Sequence, residues 1–178
     1  MNPAAVGPLF LPLVLLIAFL VHLAVMRRPR TREHVLTVAC LWGLGLGMGV
    51  GELVTGLPHL LDPGYTSAQI GFAPSAFEWE VGWANLAFAV VGLLSLWFRS
   101  TDFWLASTIG YLVYFWGCGV GHVHEYLVNG NTAPYNWGPI VPVVFLMPLV
   151  LLLLVLALRS VQRHDHGVAE QSREGVPA

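Results

Sequence analysis

The sequence contains no lysine and little charge of either sign: charged residues make up 10% of its 178 positions, against roughly 25% in a soluble domain. So few ionic side chains cannot cover a water-facing surface, and with 56% hydrophobic residues the chain reads as an integral membrane protein. The basic residues are eight arginines in three short places, at 27–32, at 99 and at 159–173. No basic stripe runs along any segment, which excludes nucleic acid as a partner. Cysteine is scarce too. Cys40 and Cys118 fall in different predicted spans, at depths about 15 Å apart when counted at about 1.5 Å per residue, whereas a disulfide needs Cα atoms within about 7 Å. They read as packing residues and carry no information on redox compartment. The chain also lacks a Ser-His-Asp order, a phosphate-binding glycine loop and a Cys-x-x-Cys pair, so nothing argues for nucleophilic catalysis and an enzyme is not the expectation.

What the chain has is five long apolar runs. The expectation is an all-α integral membrane fold with five transmembrane helices in one bundle over 1–158, at about 9–26, 35–55, 77–98, 103–126 and 139–158. A polar, disordered tail is expected from 159 to 178. Residues 1–26 have an uncharged front and a basic end, the reverse of a secretory signal, so the first run is expected to stay as a helix. Five spans put every arginine on one side. By the positive-inside rule the N-terminus is then outside, the C-terminus is cytoplasmic, and the chain is a multi-pass protein of the bacterial inner (plasma) membrane.

Local signals divide these runs. Thr31 is placed to cap the second helix and Glu33 suits its first turn. Gly43, Gly45, Gly47, Gly49 and Gly51 alternate, and in a helix they form overlapping small-xxx-small pairs that admit a close neighbour. That neighbour is either another helix of the bundle or, through the same glycine-rich face, a second copy or a membrane partner. The longest connection spans 56–76, with an Asp62-Pro63-Gly64 turn and a Gly71-Phe72-Ala73-Pro74 breaker. Ser75-Ala76-Phe77-Glu78 matches a capping box. The third helix offers two stripes, Glu78, Gly82, Asn85, Ala89 and Gly92 on one and Glu80, Ala84 and Ala87 on the other, and the pattern does not say which faces inward. Asn129-Gly130 marks the end of helix four, Pro142 and Pro148 are expected to kink helix five, and 149–158 reads as lipid-facing.

The polar residues within these runs are the candidates for function. Tyr111, Phe115, Cys118, His122 and Glu125 recur on one helical stripe, and a carboxylate at the bilayer centre costs about 2.5 kcal/mol or more unless it is partnered. Counting about 1.5 Å per residue from the arginine side puts Glu52, Glu80 and His122 at roughly 25, 27 and 28 Å in a core about 30 Å thick. One layer open to the outside then holds Glu52, Glu80, His122 and Glu125 as ligands of a divalent transition metal (Zn, Fe or Mn), with His59, Glu78, Asn85, His124 and Tyr111 around it. His122 and His124 point about 200° apart on a helix, so both bind one ion only if the helix ends there. Two other readings compete: a proton- or ligand-handling pocket, and a packing network in a non-catalytic membrane assembly or interaction subunit. Haem is disfavoured, because only His59 with His124 could face each other. His164-Asp165-His166 in the tail reads as solvated, and the seven tryptophans as an interfacial belt.

Three stretches carry a resemblance: Phe72-Ala73-Pro74-Ser75-Ala76-Phe77-Glu78-Trp79-Glu80-Val81-Gly82-Trp83-Ala84-Asn85-Leu86-Ala87-Phe88, Gly121-His122-Val123-His124-Glu125 and Asn131-Thr132-Ala133-Pro134-Tyr135-Asn136-Trp137-Gly138-Pro139. Across about 70–155 the chain resembles an uncharacterised family of small bacterial multi-span membrane proteins. The resemblance implies a compact helical membrane domain with an asparagine on helix three and a Gly-His end to helix four. It brings no assigned reaction. It also implies that His124 and Glu125, which stand where the family has aliphatic or polar residues, are particular to this chain.

Overall fold

The computed structural model describes residues 3–174, and its elements are helical throughout. Helix α1 (Pro3–Val25) is followed by α2 (Arg32–Trp42), a π-helical stretch (Gly43–Val50) and α3 (Gly51–Leu61), which together form one rod. The short α4 (Pro63–Ile70), then α5 (Phe77–Leu94), α6 (Thr101–Asn129) and α7 (Ile140–Glu174) complete the chain. Five segments are long and apolar enough to cross a membrane: Gly7–Val25, Arg32–Leu61, Phe77–Leu94, Thr101–Asn129 and Ile140–Asp165. The count agrees with the expectation. At one end of the bundle Arg159 pairs with Asp102 at 2.5 Å and Gln162 donates to Glu33 at 3.0 Å. This is the arginine end.

Several boundaries differ from those expected, each for a local reason. The second span runs on to Leu61, and Asp62-Pro63-Gly64 starts a helix instead of making a turn. The Asp62 carboxylate accepts from the Tyr65 N–H at 3.0 Å, and Pro63 occupies the first helical position, where a missing N–H goes unnoticed. Gly71, at φ 76°, closes α4 in the left-handed conformation. Thr31 caps α2 as expected, accepting from the His34 N–H at 3.2 Å. The capping box does not form: the Ser75 hydroxyl accepts from the Phe77 N–H at 3.2 Å, while Glu78 turns to His59. Helix α7 continues to Glu174, where disorder was expected from Arg159. Residues 175–178 of that tail lie outside the described residues. No glycine or proline interrupts the helix between Pro148 and Gly167, and the Arg159 and Gln162 contacts hold its turn against α6 and α2.

Packing explains the alternating glycines. On the rod Arg32–Leu61 they face two opposite sides. A Cβ on Gly43, Gly47 or Gly51 would meet Leu151 of α7 or Leu15 and Leu11 of α1. On Gly45 or Gly49 it would meet Leu96 or Leu93, at the end of α5. Of the two neighbours considered for the glycine face, a helix of the bundle or a second copy or membrane partner, the chain's own helices occupy it. The stretch they occupy is π-helical, with the Gly51 N–H reaching the Leu46 carbonyl five residues back, a geometry seen mostly as single turns at functional sites. The closest approach is to α5, where a Cβ on Gly92 would stand 2.5 Å from the Gly49 nitrogen and 2.8 Å from the Leu44 carbonyl oxygen. Further along the same crossing, Gly56 faces Asn85 and the Gly82 carbonyl. This settles the third span: Glu78, Gly82, Asn85, Ala89 and Gly92 are buried, while Glu80 and Ala87 face outward.

The apolar core lies toward the arginine end, where Cys40, Leu44, Met48, Trp104, Tyr111, Leu151, Val155 and Leu158 form one buried cluster. Three of these come from 149–158, so that run is only half lipid-facing. Trp104 donates its indole N–H to the Ser95 carbonyl at 3.0 Å, which joins the start of α6 to the end of α5. Both cysteines are free.

Because the Gly49–Gly92 contact is backbone to backbone, no rotamer change can relieve an added side chain. Gly92→Ala is expected to lower stability by about 1–3 kcal/mol and Gly92→Val by more, read as the unfolding midpoint in detergent. Gly117→Ala, with nothing within 4 Å of the new methyl, should leave the midpoint unchanged or raise it.

Candidate functional site

The most buried carboxyl group is that of Glu52, the second residue of α3, placed directly after the π-helical stretch and 2% exposed. Tyr111, fully buried on α6, donates its hydroxyl to Glu52 Oε1 at 2.9 Å. The Thr55 hydroxyl lies 3.4 Å from Oε2 and 3.1 Å from the Gly51 carbonyl. One turn along α6, Tyr114 donates to Asn85 Oδ1 on α5 at 2.6 Å. Phe88 stands between the two phenols, with ring centroids 5.6 Å from Tyr111 and 5.3 Å from Tyr114, and Phe115 packs against Tyr111 at 4.5 Å. Two tyrosines three residues apart therefore tie α6 to α3 and to α5. Hydrogen bonds of this kind between membrane helices contribute about 0.6 kcal/mol on average and up to about 1.7.

Two further clusters lie at the end away from the arginines. His59, two turns beyond Glu52 on α3, holds Glu78 of α5 with Nδ1 and Oε2 2.6 Å apart and side chains 12% and 9% exposed. Gly82 makes this pair possible, since a Cβ there would stand 3.1 Å from that of His59. On α6, His122 Nδ1 donates to Asn136 Oδ1 at 2.9 Å. The Asn136 amide donates in turn to the carbonyls of Asn131 at 2.9 Å and His122 at 3.3 Å. Asn131 donates to the carbonyls of Ile70 at 3.0 Å and Gly71 at 3.1 Å, and Phe72 packs on the His122 ring at 6.0 Å. Asn131 thus stitches the α6–α7 connection to the end of α4, and Asn136 ties that connection back to His122 of α6. Among the described residues no buried side-chain nitrogen or oxygen lacks a partner.

The residues expected to share one layer are separated. Glu52 meets Tyr111, and His122 meets Asn136. Glu80 is exposed on the outer face of α5, and Glu125 accepts from Asn129 of its own helix at 2.8 Å. Among the described residues no three His, Cys, Asp or Glu side chains come together in a way that could hold a metal ion. His59 is taken by Glu78 and His124 is exposed, so the pairing considered for haem does not form. His164 lies 3.6 Å from Asp165, both exposed. Depth counting failed at Glu52 because a π stretch takes more residues per turn and so advances less per residue than the α-helix assumed, and because it ignored the reach of a phenol. Asn136 and Asn131 were not singled out as site residues. Two asparagines in a connection rich in Gly and Pro were the signal, but they read equally well as ordinary turn formers.

A family model described as a family of unknown function, DUF6790, matches residues 5–164. The chain matches no curated protein and no solved structure.

The Glu52–Tyr111 bond can be weighed by a double-mutant cycle. Glu52→Leu and Tyr111→Phe should each destabilise, and the double variant should be less destabilised than their sum by about 0.6–1.7 kcal/mol, measured by denaturant unfolding in detergent. Glu80→Ala and His124→Ala should stay within about 0.5 kcal/mol of the parent.

Proposed function

The chain belongs to the DUF6790 family of unknown function, and from its own geometry we propose a non-catalytic membrane assembly or interaction subunit whose buried acids, amides and imidazoles lock helix packing. The observation that carries this reading is closure. Glu52, Asn85, His59, Glu78, His122 and Asn136 each find a partner on another element of the same chain, and among the described residues no buried side-chain nitrogen or oxygen is left unpaired for a substrate or ion. The arginine distribution supports the matching orientation, with the arginine end in the cytoplasm of a bacterial plasma membrane. The opposite face then presents Asp62, Glu80, His124 and Glu125 to the outside, where a partner domain would dock.

A second reading has one observation in its favour. Glu52 and His59 stand two turns apart on α3, and His59 joins Glu78 near the far surface. A carboxyl group and an imidazole in that relation could exchange protons from one side only, since the apolar cluster around Leu44 and Met48 blocks the path beyond Tyr111.

Glu52→Gln separates the two, because the amide oxygen still accepts from Tyr111 while the titratable group is gone. The packing reading expects an unfolding midpoint near that of the parent and unchanged proton uptake by proteoliposomes carrying a pH dye. A folded variant with lost uptake would favour proton exchange. Elemental analysis of the detergent-purified chain should find no stoichiometric metal. One equivalent that disappears in a His122→Ala, Glu125→Ala variant would overturn the assignment.

A further inference from the structure

Helix α1 is attached to the bundle unevenly. Over its first half it packs closely: Tyr135 fills the space beside Gly7, Leu11 that beside Gly51, and Leu15 that beside Gly47. Beside these contacts an apolar groove of about 550 Å³ stays open between α1, α2 and α7, running along α1 from Leu9 to Phe19 and walled by Leu16, Phe19, Leu36, Ala39, Leu146 and Leu154. A second crevice runs along α1 past Val21 and Met26 to Trp42, whose indole N–H donates to His22 Nδ1 at 3.2 Å. The groove extends to Val35 in the first turn of α2, three residues from Arg32. There it meets the α1–α2 connection, where Arg27, Arg28, Arg30 and Arg32 are all exposed. Among the described residues none of the four is in an ion pair; of the acids at this end, Asp102 pairs with Arg159, Glu33 accepts from the Gln162 amide and Asp165 lies beside His164.

We propose that this groove and its arginine mouth form a binding site for a phospholipid with an anionic head group, its acyl chains lying between α1 and α7 and its phosphate held by the 27–32 connection. The charge at the mouth selects the occupant. A membrane helix from a partner would fill the apolar walls equally well but would leave four guanidinium groups without counter-charges. An anionic lipid satisfies both parts, since guanidinium matches phosphate oxygens bidentately, and basic pockets between membrane helices bind acidic head groups by this combination. The site is independent of the polar pairs at the other end of the bundle.

Native mass spectrometry of the detergent-purified chain, titrated with dioleoyl phosphatidylglycerol and separately with dioleoyl phosphatidylcholine, tests this. One phosphatidylglycerol per chain should bind at least about tenfold more tightly than phosphatidylcholine. Arg27→Gln with Arg28→Gln and Arg30→Gln should bring the two lipids to equal affinity. These substitutions lie on an exposed connection and leave the core intact. Ala39→Phe, which fills the groove, should weaken both lipids with the arginines in place. Equal affinities in the parent chain, or a preference that survives loss of the arginines, would reduce the groove to ordinary annular lipid and overturn the proposal. So would a dimer that persists and excludes lipid, which would make a second copy the occupant.

Discussion

The contact between the backbones of Gly49 and Gly92 governs the rest of the bundle. Lipid tails are as apolar as leucine, so membrane helices gain little from apolar burial against one another and must draw on close packing and polar contacts instead. Where the rod Arg32–Leu61 crosses α5, the two backbones come near enough that a single methyl at Gly92 would overlap Gly49. Once they are that close, Gly56 and Gly82 further along the crossing bring His59 within reach of Glu78. Glu52 of α3 and Asn85 of α5 each meet a tyrosine of α6. The tyrosines of α6 then need only their ordinary length to reach both.

The π-helical stretch belongs to this constraint. Glycine is costly within an α-helix because it loses so much backbone freedom on folding, and the five glycines from Gly43 to Gly51 weaken the usual ladder enough for a wider turn to compete. Widening the turn rotates α3 about the axis of the rod, and Glu52 is the second residue of that helix. The orientation of the buried carboxyl toward Tyr111 therefore depends on backbone geometry upstream as much as on its own helix.

These relations set how far the sequence could be read. The five spans were legible because long apolar runs with polar ends have no other use, and Thr31 and Gly130 were legible because caps are local. The stripe of Glu78, Gly82, Asn85, Ala89 and Gly92 was visible as well, but a helix drawn from sequence has no rotation relative to its neighbours, so the competing stripe with Glu80 could not be set aside. Pairings between helices were beyond reach for the same reason. Glu52 and Tyr111 both stood among the candidates, yet joining them needed the depth of each helix, and the π stretch altered one of those depths. The alternating glycines were recognised as contact surface. Their division between two opposite faces, one toward α5 and the other toward α1 and α7, is a consequence of alternation on a helix, but the identity of the neighbours is not.

The choice of partners bears on what the buried groups do. The side-chain pairs that join elements within the bundle include Glu with Tyr, Asn with Tyr, His with Glu, His with Asn and Trp with His, while the arginines stay at one end. Burying a carboxylate beside a guanidinium would require stripping water from two full charges, a penalty that the attraction between them often fails to offset. A phenol or an amide satisfies a carboxyl oxygen without a second charge. Each such bond stabilises the native arrangement by only about 1 kcal/mol, but a helix rotated or shifted by one turn would leave Glu52 or Asn85 unpaired in hydrocarbon at a cost of several kcal/mol. The polar pairs thus contribute less to holding the helices together than to excluding the wrong registers, which explains how a bundle that packs largely through glycine and leucine adopts a single arrangement.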